Sequence, residues 1–283
     1  MKGLRALGTE TLVHAVLLAA VCVALYPVLW VLSLALAPSD MPSARALPIP
    51  SSVSLGNFRA VILAHDAGGH STFVPQLVNS LVVSVATALV SVLLATPAAY
   101  GLARFRFVGA ETGTKVLMAT QMFPGVASAV PLYVLLDTLG LLDTRAGLVL
   151  VYGATAVPFA VFQLRSAFEA IPRELEEAAM VDGASRWQAF VRVVLPAARP
   201  ALAVTALFAF MSAWNEFMLA STMLSREEAF TLPVALQRYV GEYDAAWGRF
   251  AAGALLVSVP VMAVFYALQR HLVAGLTSGG VKG

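Results

Sequence analysis

Charge is scarce in this sequence. Asp, Glu, Lys and Arg make up 12% of its residues, about half the share of an average soluble domain. No polar block remains that is long enough for a separate catalytic domain. Cysteine is nearly absent. The single Cys22 excludes an internal disulfide and a cysteine-based metal cluster. It lies in an apolar run and reads as a small buried hydrophobe. Nothing matches G-x-x-x-x-G-K-[ST], so the chain carries no P-loop for a nucleotide. No basic block interleaved with aromatics marks a nucleic-acid surface. His65 and His70 flank Asp66, but the glycine-rich stretch between them offers no further ligand, and a metal site is not expected. No His–Asp–Ser or metal-ligating set lies within the apolar runs, which argues against an intramembrane hydrolase. No catalytic residue, cofactor site or metal site is assigned.

What is present is apolar. Hydrophobic residues make up 59% of the chain, with a mean hydropathy of +0.82. A spanning helix needs about 20 mostly apolar residues. Six stretches qualify: 11–36, 77–103, 115–136, 146–165, 201–223 and 248–271. Lys2 and Arg5 precede the first, as in a signal peptide. That run is long, however, and keeps Tyr26, Trp30 and Leu34 near its far end, so it reads as a retained helix. The expected fold class is an all-α membrane protein. Prolines inside the runs are tolerated where neighbours satisfy the freed backbone, and the dense small residues let helices approach closely. With six spans, twelve Lys and Arg fall on the side of the two ends and six on the other. The bias places both termini in the cytoplasm. Outside, residues 37–76 and 225–247 form the longer loops, and Ser54 is positioned to cap a short helix.

One polar stretch stands apart. Residues 166–200, between the fourth and fifth runs, are too charged to span and too patterned to be slack. Pro172 suits a first helical position. Glu174, Glu176 and Glu177 suit the positive end of the helix dipole. Asp182–Gly183 predicts a C-cap, and Ser185 with Gln188 predicts a capping box. Trp187, Phe190, Val191, Val194 and Leu195 then follow one helical stripe. The segment therefore reads as two short helices hinged at Gly183. Its first helix offers Ala178 and Ala179 as a small-residue surface. A connector without a partner is the other reading that pattern alone allows.

The spacing within this hairpin resembles the signature loop of ATP-binding-cassette importer permeases: Glu177-Ala178-Ala179, three residues, Gly183, nine residues, then Val193-x-Leu195-Pro196. Val193 replaces the isoleucine usual in that family. The resemblance implies a type I importer permease fold of six transmembrane helices with a cytoplasmic coupling helix. It implies a permease core over 77–272, an N-terminus over 1–10 and a tail over 273–283. Glu177, Ala178, Ala179, Asp182, Gly183, Leu195 and Pro196 would then couple the chain to a cytoplasmic ATPase. The last residues, Gln269 to Gly283, are similar to the tail of carbohydrate-uptake permeases of the maltose and trehalose type. The likeness implies that Gly275, Leu276, Thr277, Gly279 and Gly280 thread between two ATPase subunits. The implied partners are a second permease subunit, an ATPase homodimer that binds ATP and Mg, an extracytoplasmic sugar-binding protein and membrane lipid. The implied cargo is a disaccharide or oligosaccharide of glucose.

Asn215 and Glu216 lie within the fifth run, and an ionisable residue at that depth marks function or packing. With Gln121 and Trp214 they are candidates for the solute pathway or its gate, and Tyr133 is a further aromatic that a sugar could meet. Two alternatives remain at this stage. An ion-coupled secondary transporter would need paired intramembrane charges and recognisable halves, and chiefly Glu216 is found. A permease for another solute, such as glycerol phosphate, shares the same signature loop.

Overall fold

The computed structural model describes residues 2–38, 49, 52–66, 68–123, 125–241 and 245–279. Its helices are α1 (Lys2–Ala35), α2 (Gly56–Ile62), α3 (Phe73–Arg104), α4 (Ala110–Met122), α5 (Ala129–Thr138) and α6 (Arg145–Ala170), then α7 (Glu174–Val181), α8 (Arg186–Ala189), α9 (Leu195–Ala197), α10 (Arg199–Trp214), α11 (Met218–Met223), α12 (Leu232–Gln237) and α13 (Trp247–Gly279). Among the described residues the only extended pairings are two isolated bridges, His65 with Ser71 and Val240 with Ala245.

Four helices are long and apolar enough to cross a membrane: Leu12–Ala35 within α1, α3, α6 and Trp247–Gln269 within α13. The third and fifth expected spans are not continuous. Over 115–136, α4 and the segment Gly125–Thr138 meet at a bend of 95°. Phe123 precedes Pro124 and is extended, with ψ 128°, because a following proline disfavours helical backbone. Over 201–223, α10 stops at Trp214 and α11 begins at Met218, after three intervening residues. The stretch Arg186–Ala197 also meets α10 at 72°. The last helix runs on through Gly279, beyond the expected end at 271.

The chain divides into two compact units. In the first, residues 1–73 and 235–259, a small core forms from Leu34, Ala35, Val61, Ala251 and Ala252. The amide of Asn57 on α2 donates to the carbonyls of Ala35 and Ala37, closing the end of α1. Gly248 sits against Asn57 so closely that an added Cβ would lie 2.5 Å from its Nδ2. Ser54, two residues ahead of the helix start, accepts from the Gly56 N–H, while Leu55 takes the N-cap. The apolar window of α1 buries none of its residues within the chain. Cys22 is correspondingly exposed, contrary to the expectation of burial, because α1 has few neighbours in its own chain.

The second unit, residues 74–234 and 260–283, holds two cores. One gathers Val83, Leu136, Leu148, Val151, Tyr152 and Met223. The other gathers Ala95, Ala99, Ala103, Val161, Leu164, Phe168, Phe190 and Val194. The alanines at every fourth position of α3 present a flat strip, which permits close helix packing in an apolar medium. At the far end of α3, buried Asn79 donates to the carbonyls of Glu228 and Phe230 and accepts from Arg145 at 2.7 Å. The Ser80 hydroxyl accepts from the Leu232 N–H. These bonds fold residues 230–232 inward, so this part of the outer loop 225–247 is core.

Candidate functional site

The polar hairpin is built as its local signals require. Helix α7 ends at Val181, and Gly183 follows with φ +90°. The Gly183 N–H donates to Met180 O and the Ala184 N–H to Ala179 O. That pair of bonds is a Schellman closure, which needs a left-handed residue at its corner. Ser185 then accepts from the Gln188 N–H while the Gln188 side chain accepts from the Ser185 N–H, a complete capping box. Two details depart from expectation. Pro172 lies two residues before α7 rather than at its first position, and Arg173 takes the N-cap. Past α8 the backbone enters a π turn over Phe190–Val194, with the Leu195 N–H donating to Phe190 O. Pro196 has no N–H to continue the α ladder, which favours the wider turn. The extra residue rotates the helix face. Ala189, Phe190 and Val194 are buried, whereas Trp187 and Val191 of the expected stripe are exposed.

The root of the hairpin is a buried ion pair. Glu176 is 8% exposed. It accepts from the Arg104 guanidinium and, at 2.7 Å, from the Tyr100 hydroxyl, both on the end of α3. Arg104 also donates to Ile171 O, and Arg173 to Ala103 O. Around this pair Tyr100, Phe168 and Phe190 contact one another ring to ring, and Tyr100 also meets Phe105 edge-on. The Arg186 guanidinium lies 5.8 Å from the Phe105 ring centroid. Charge, aromatic packing and backbone bonds thus fix α7 and α8 to α3 and α6. None of Glu176, Arg104 or Tyr100 was singled out from sequence. Glu176 stands beside two other acidic residues, and nothing in that run says which one faces inward.

The residues expected to meet a partner lie on the other face. Glu177, Ala178, Asp182 and Gly183 are exposed, and Ala179 is half-buried. Val181 at the tip is 87% exposed, with Met180 and Leu175 open beside it. Leu195 and Pro196 are half-buried in α9, where they turn the chain into α10. Gly275, Leu276, Thr277 and Gly279 belong to the last turns of α13, and Gly280 lies outside the described residues.

The candidates at span depth separate. Trp214 is buried and stacks on Phe210. Asn215 is exposed and donates to Met211 O. Glu216 accepts from the Tyr152 hydroxyl at 2.8 Å and from the backbone N–H groups of Leu219 and Ala220. Its carboxylate therefore satisfies the open donors that start α11, which is why α10 and α11 are separate helices. Gln121 donates to Thr155 O and lines a cavity of about 250 Å³ with Thr155, Phe159, Thr205, Phe208 and Ser212. Tyr133 is exposed and does not line this cavity.

Two acidic clamps hold loops outside the spans. Asp66 accepts from the N–H groups of Gly68 and His70, which lower its pKa. Asp143, with φ 55°, accepts from the Ser225 N–H and hydroxyl and from the Arg226 N–H. Partial burial pushes its carboxyl up, and these bonds together outweigh it, so the net shift is downward.

Comparison with known proteins decides the family. Residues 91–278 match the family described as "Binding-protein-dependent transport system inner membrane component". The chain belongs to this family of permeases. Among curated relatives, it is 37% identical over 262 residues to the trehalose transport system permease protein SugB of Mycobacterium tuberculosis, covering 92% of this chain and 93% of that one. It is 36% identical over 291 residues to the maltose/maltodextrin transport system permease protein MalG of Yersinia pestis, covering 99% and 94%. Among solved structures it resembles a chain of a bacterial ABC transporter involved in the import of the acidic polysaccharide alginate. That match has 26% identity and a TM-score of 0.77, over 95% of this permease and 98% of that chain. The fold is that of ABC importer permeases, as the hairpin spacing predicts.

Proposed function

We propose that this permease is one of two membrane subunits of an ATP-driven importer for a disaccharide or oligosaccharide, and that its hairpin is the joint to a separate ATPase. The observation that carries the reading is the two-sided build of the hairpin. Its inner face is tied to the span ends by the Glu176–Arg104–Tyr100 cluster, and its outer face leaves Val181, Ala178 and Glu177 open. A partner pressing on the open tip moves α3 and α6 through a rigid root. The sugar class rests on the names of the trehalose and maltodextrin relatives. The charge bias puts the hairpin and both termini in the cytoplasm. The missing P-loop assigns ATP and Mg to the partner, and the family description supplies a binding protein outside. In this reading the tail, Gly275 to Gly280, reaches between two ATPase copies.

Co-purification tests this. Ala178 is exposed on the outer face of α7, so Ala178→Trp is expected to leave the hairpin folded while filling the partner's cleft. Wild type drawn from its native membrane in mild detergent brings down an ATPase and a second permease. Ala178→Trp retains the second permease and loses the ATPase. Wild type that purifies alone and still transports would overturn the proposal.

A further inference from the structure

The cavity beside Gln121 has a composition unlike its surroundings. Three helices contribute to it: Gln121 from α4; Thr155, Ala156, Phe159 and Ala160 from α6; and Thr205, Phe208, Ala209 and Ser212 from α10. The α10 residues follow i, i+3, i+4 and i+7, so one face of that helix lines the space. The cavity lies at mid-span. Helix α6 has 26 residues, about 39 Å at 1.5 Å per residue, and Thr155 to Phe159 straddle its centre. Ring centroids of Phe159 and Phe208 are 5.8 Å apart at 69°, and both rings are about half exposed.

The polar side chains around this space keep hydrogen-bonding capacity to spare. The Thr155 hydroxyl donates to Tyr152 O, which leaves its lone pairs to accept. Gln121 uses one amide N–H on Thr155 O. Its other N–H and its carbonyl oxygen remain available. The Ser212 hydroxyl is exposed and lines the space from the third helix. Among the described residues, no charged side chain belongs to the lining. A set of mixed donors and acceptors with aromatic faces and no charge matches an uncharged polyol. It does not match a carboxylate or phosphate, which would need a cation in place of these groups. The volume of about 250 Å³ falls just below the roughly 300–1,000 Å³ of drug-sized sites, which limits the occupant to one small ring.

Resting on the transport reading above, we propose that this cavity is a solute subsite on the translocation path, taking one neutral sugar ring. Phe159 and Phe208 pack against the C–H face of the ring. Gln121, Thr155 and Ser212 exchange hydrogen bonds with its hydroxyls. This subunit therefore contacts the cargo itself and selects neutral over acidic carbohydrate.

The test uses the full complex in proteoliposomes, with uptake of neutral di- and trisaccharides, of an acidic oligosaccharide and of glycerol phosphate. Wild type takes up a neutral sugar and neither anion. Phe208→Ala and Ser212→Val each lower neutral-sugar uptake about tenfold, the range expected for lost pocket contacts. ATP hydrolysis stimulated by the loaded binding protein stays within about twofold of wild type in both. Both variants still co-purify with the ATPase and the second permease, which separates a lost ring contact from a folding defect. A second readout does not depend on transport. Ser212→Cys, in a Cys22→Ala background, reacts with a small polar thiol reagent, and the transported sugar slows that reaction. Unchanged uptake in Phe208→Ala and Ser212→Val, or thiol labelling indifferent to sugar, would overturn the subsite. Uptake of the acidic oligosaccharide or glycerol phosphate in preference would overturn its selectivity for neutral rings. A wild-type complex that takes up no carbohydrate of either kind would overturn the functional reading and this site with it.

Discussion

Glu176 and Arg104 form an ion pair with side chains 10% and 6% exposed. Removing one partner of such a pair strands a buried charge and typically costs about 3–5 kcal/mol. Glu176→Leu is accordingly expected to lower thermal stability in detergent strongly. Arg104→Met combined with it should recover most of the loss, because the pair is then replaced by apolar packing. Additive losses in the double variant would show that the two residues do not act as a unit. Asp143 gives a second prediction, read through pH. Its folded pKa is depressed by the Ser225 and Arg226 bonds, so the unfolded state binds the proton more readily. The stabilisation is complete above the unfolded value of about 3.9 and disappears as pH falls through the lower folded value. Asp143→Asn, which also tolerates the left-handed backbone, should melt below wild type at pH 6. The gap should narrow as the solution is acidified through the unfolded value and on through the lower folded one. A gap that widens in acid contradicts the assignment.

At the scale of the element, the hairpin shows what a sequence can and cannot specify. Its caps were legible because each is a local contract between neighbours. Gly183 supplies the left-handed corner, and Ser185 with Gln188 completes the box. Ser185→Ala should cost about 1 kcal/mol, seen as faster amide hydrogen exchange over Arg186–Ala189, with α3 and α6 unaffected. The inward face was not legible, because it depends on distant partners. Glu176 meets Arg104 across 72 residues of chain, and no periodicity carries that information. The π turn was missed for a related reason. The expected stripe keeps regular helical spacing from Trp187 to Leu195, whereas the backbone widens over Phe190–Val194 and both Trp187 and Val191 are exposed. Span breaks were half-legible. Pro124 flags one, but the break after Trp214 depends on Glu216 capping the next helix.

For the whole molecule, hydropathy alone carried most of the fold class. Runs of apolar residues located the four helices that are long and apolar enough to cross a membrane. Their partners were not in the sequence. The window of α1 is unburied within the chain, and only 17% of the α13 window is buried, against 50% for α6. That asymmetry accords with a subunit whose remaining contacts are lipid and other chains. The central claim is that the hairpin tip meets an ATPase. A photo-activated cross-linking residue at position 178, in native membranes, tests it most directly, with exposed position 89 on α3 as the comparison. The account predicts an adduct at 178 with a chain that carries a P-loop, and none with that chain from 89. Adducts at 178 confined to lipid, or to no protein, would contradict it.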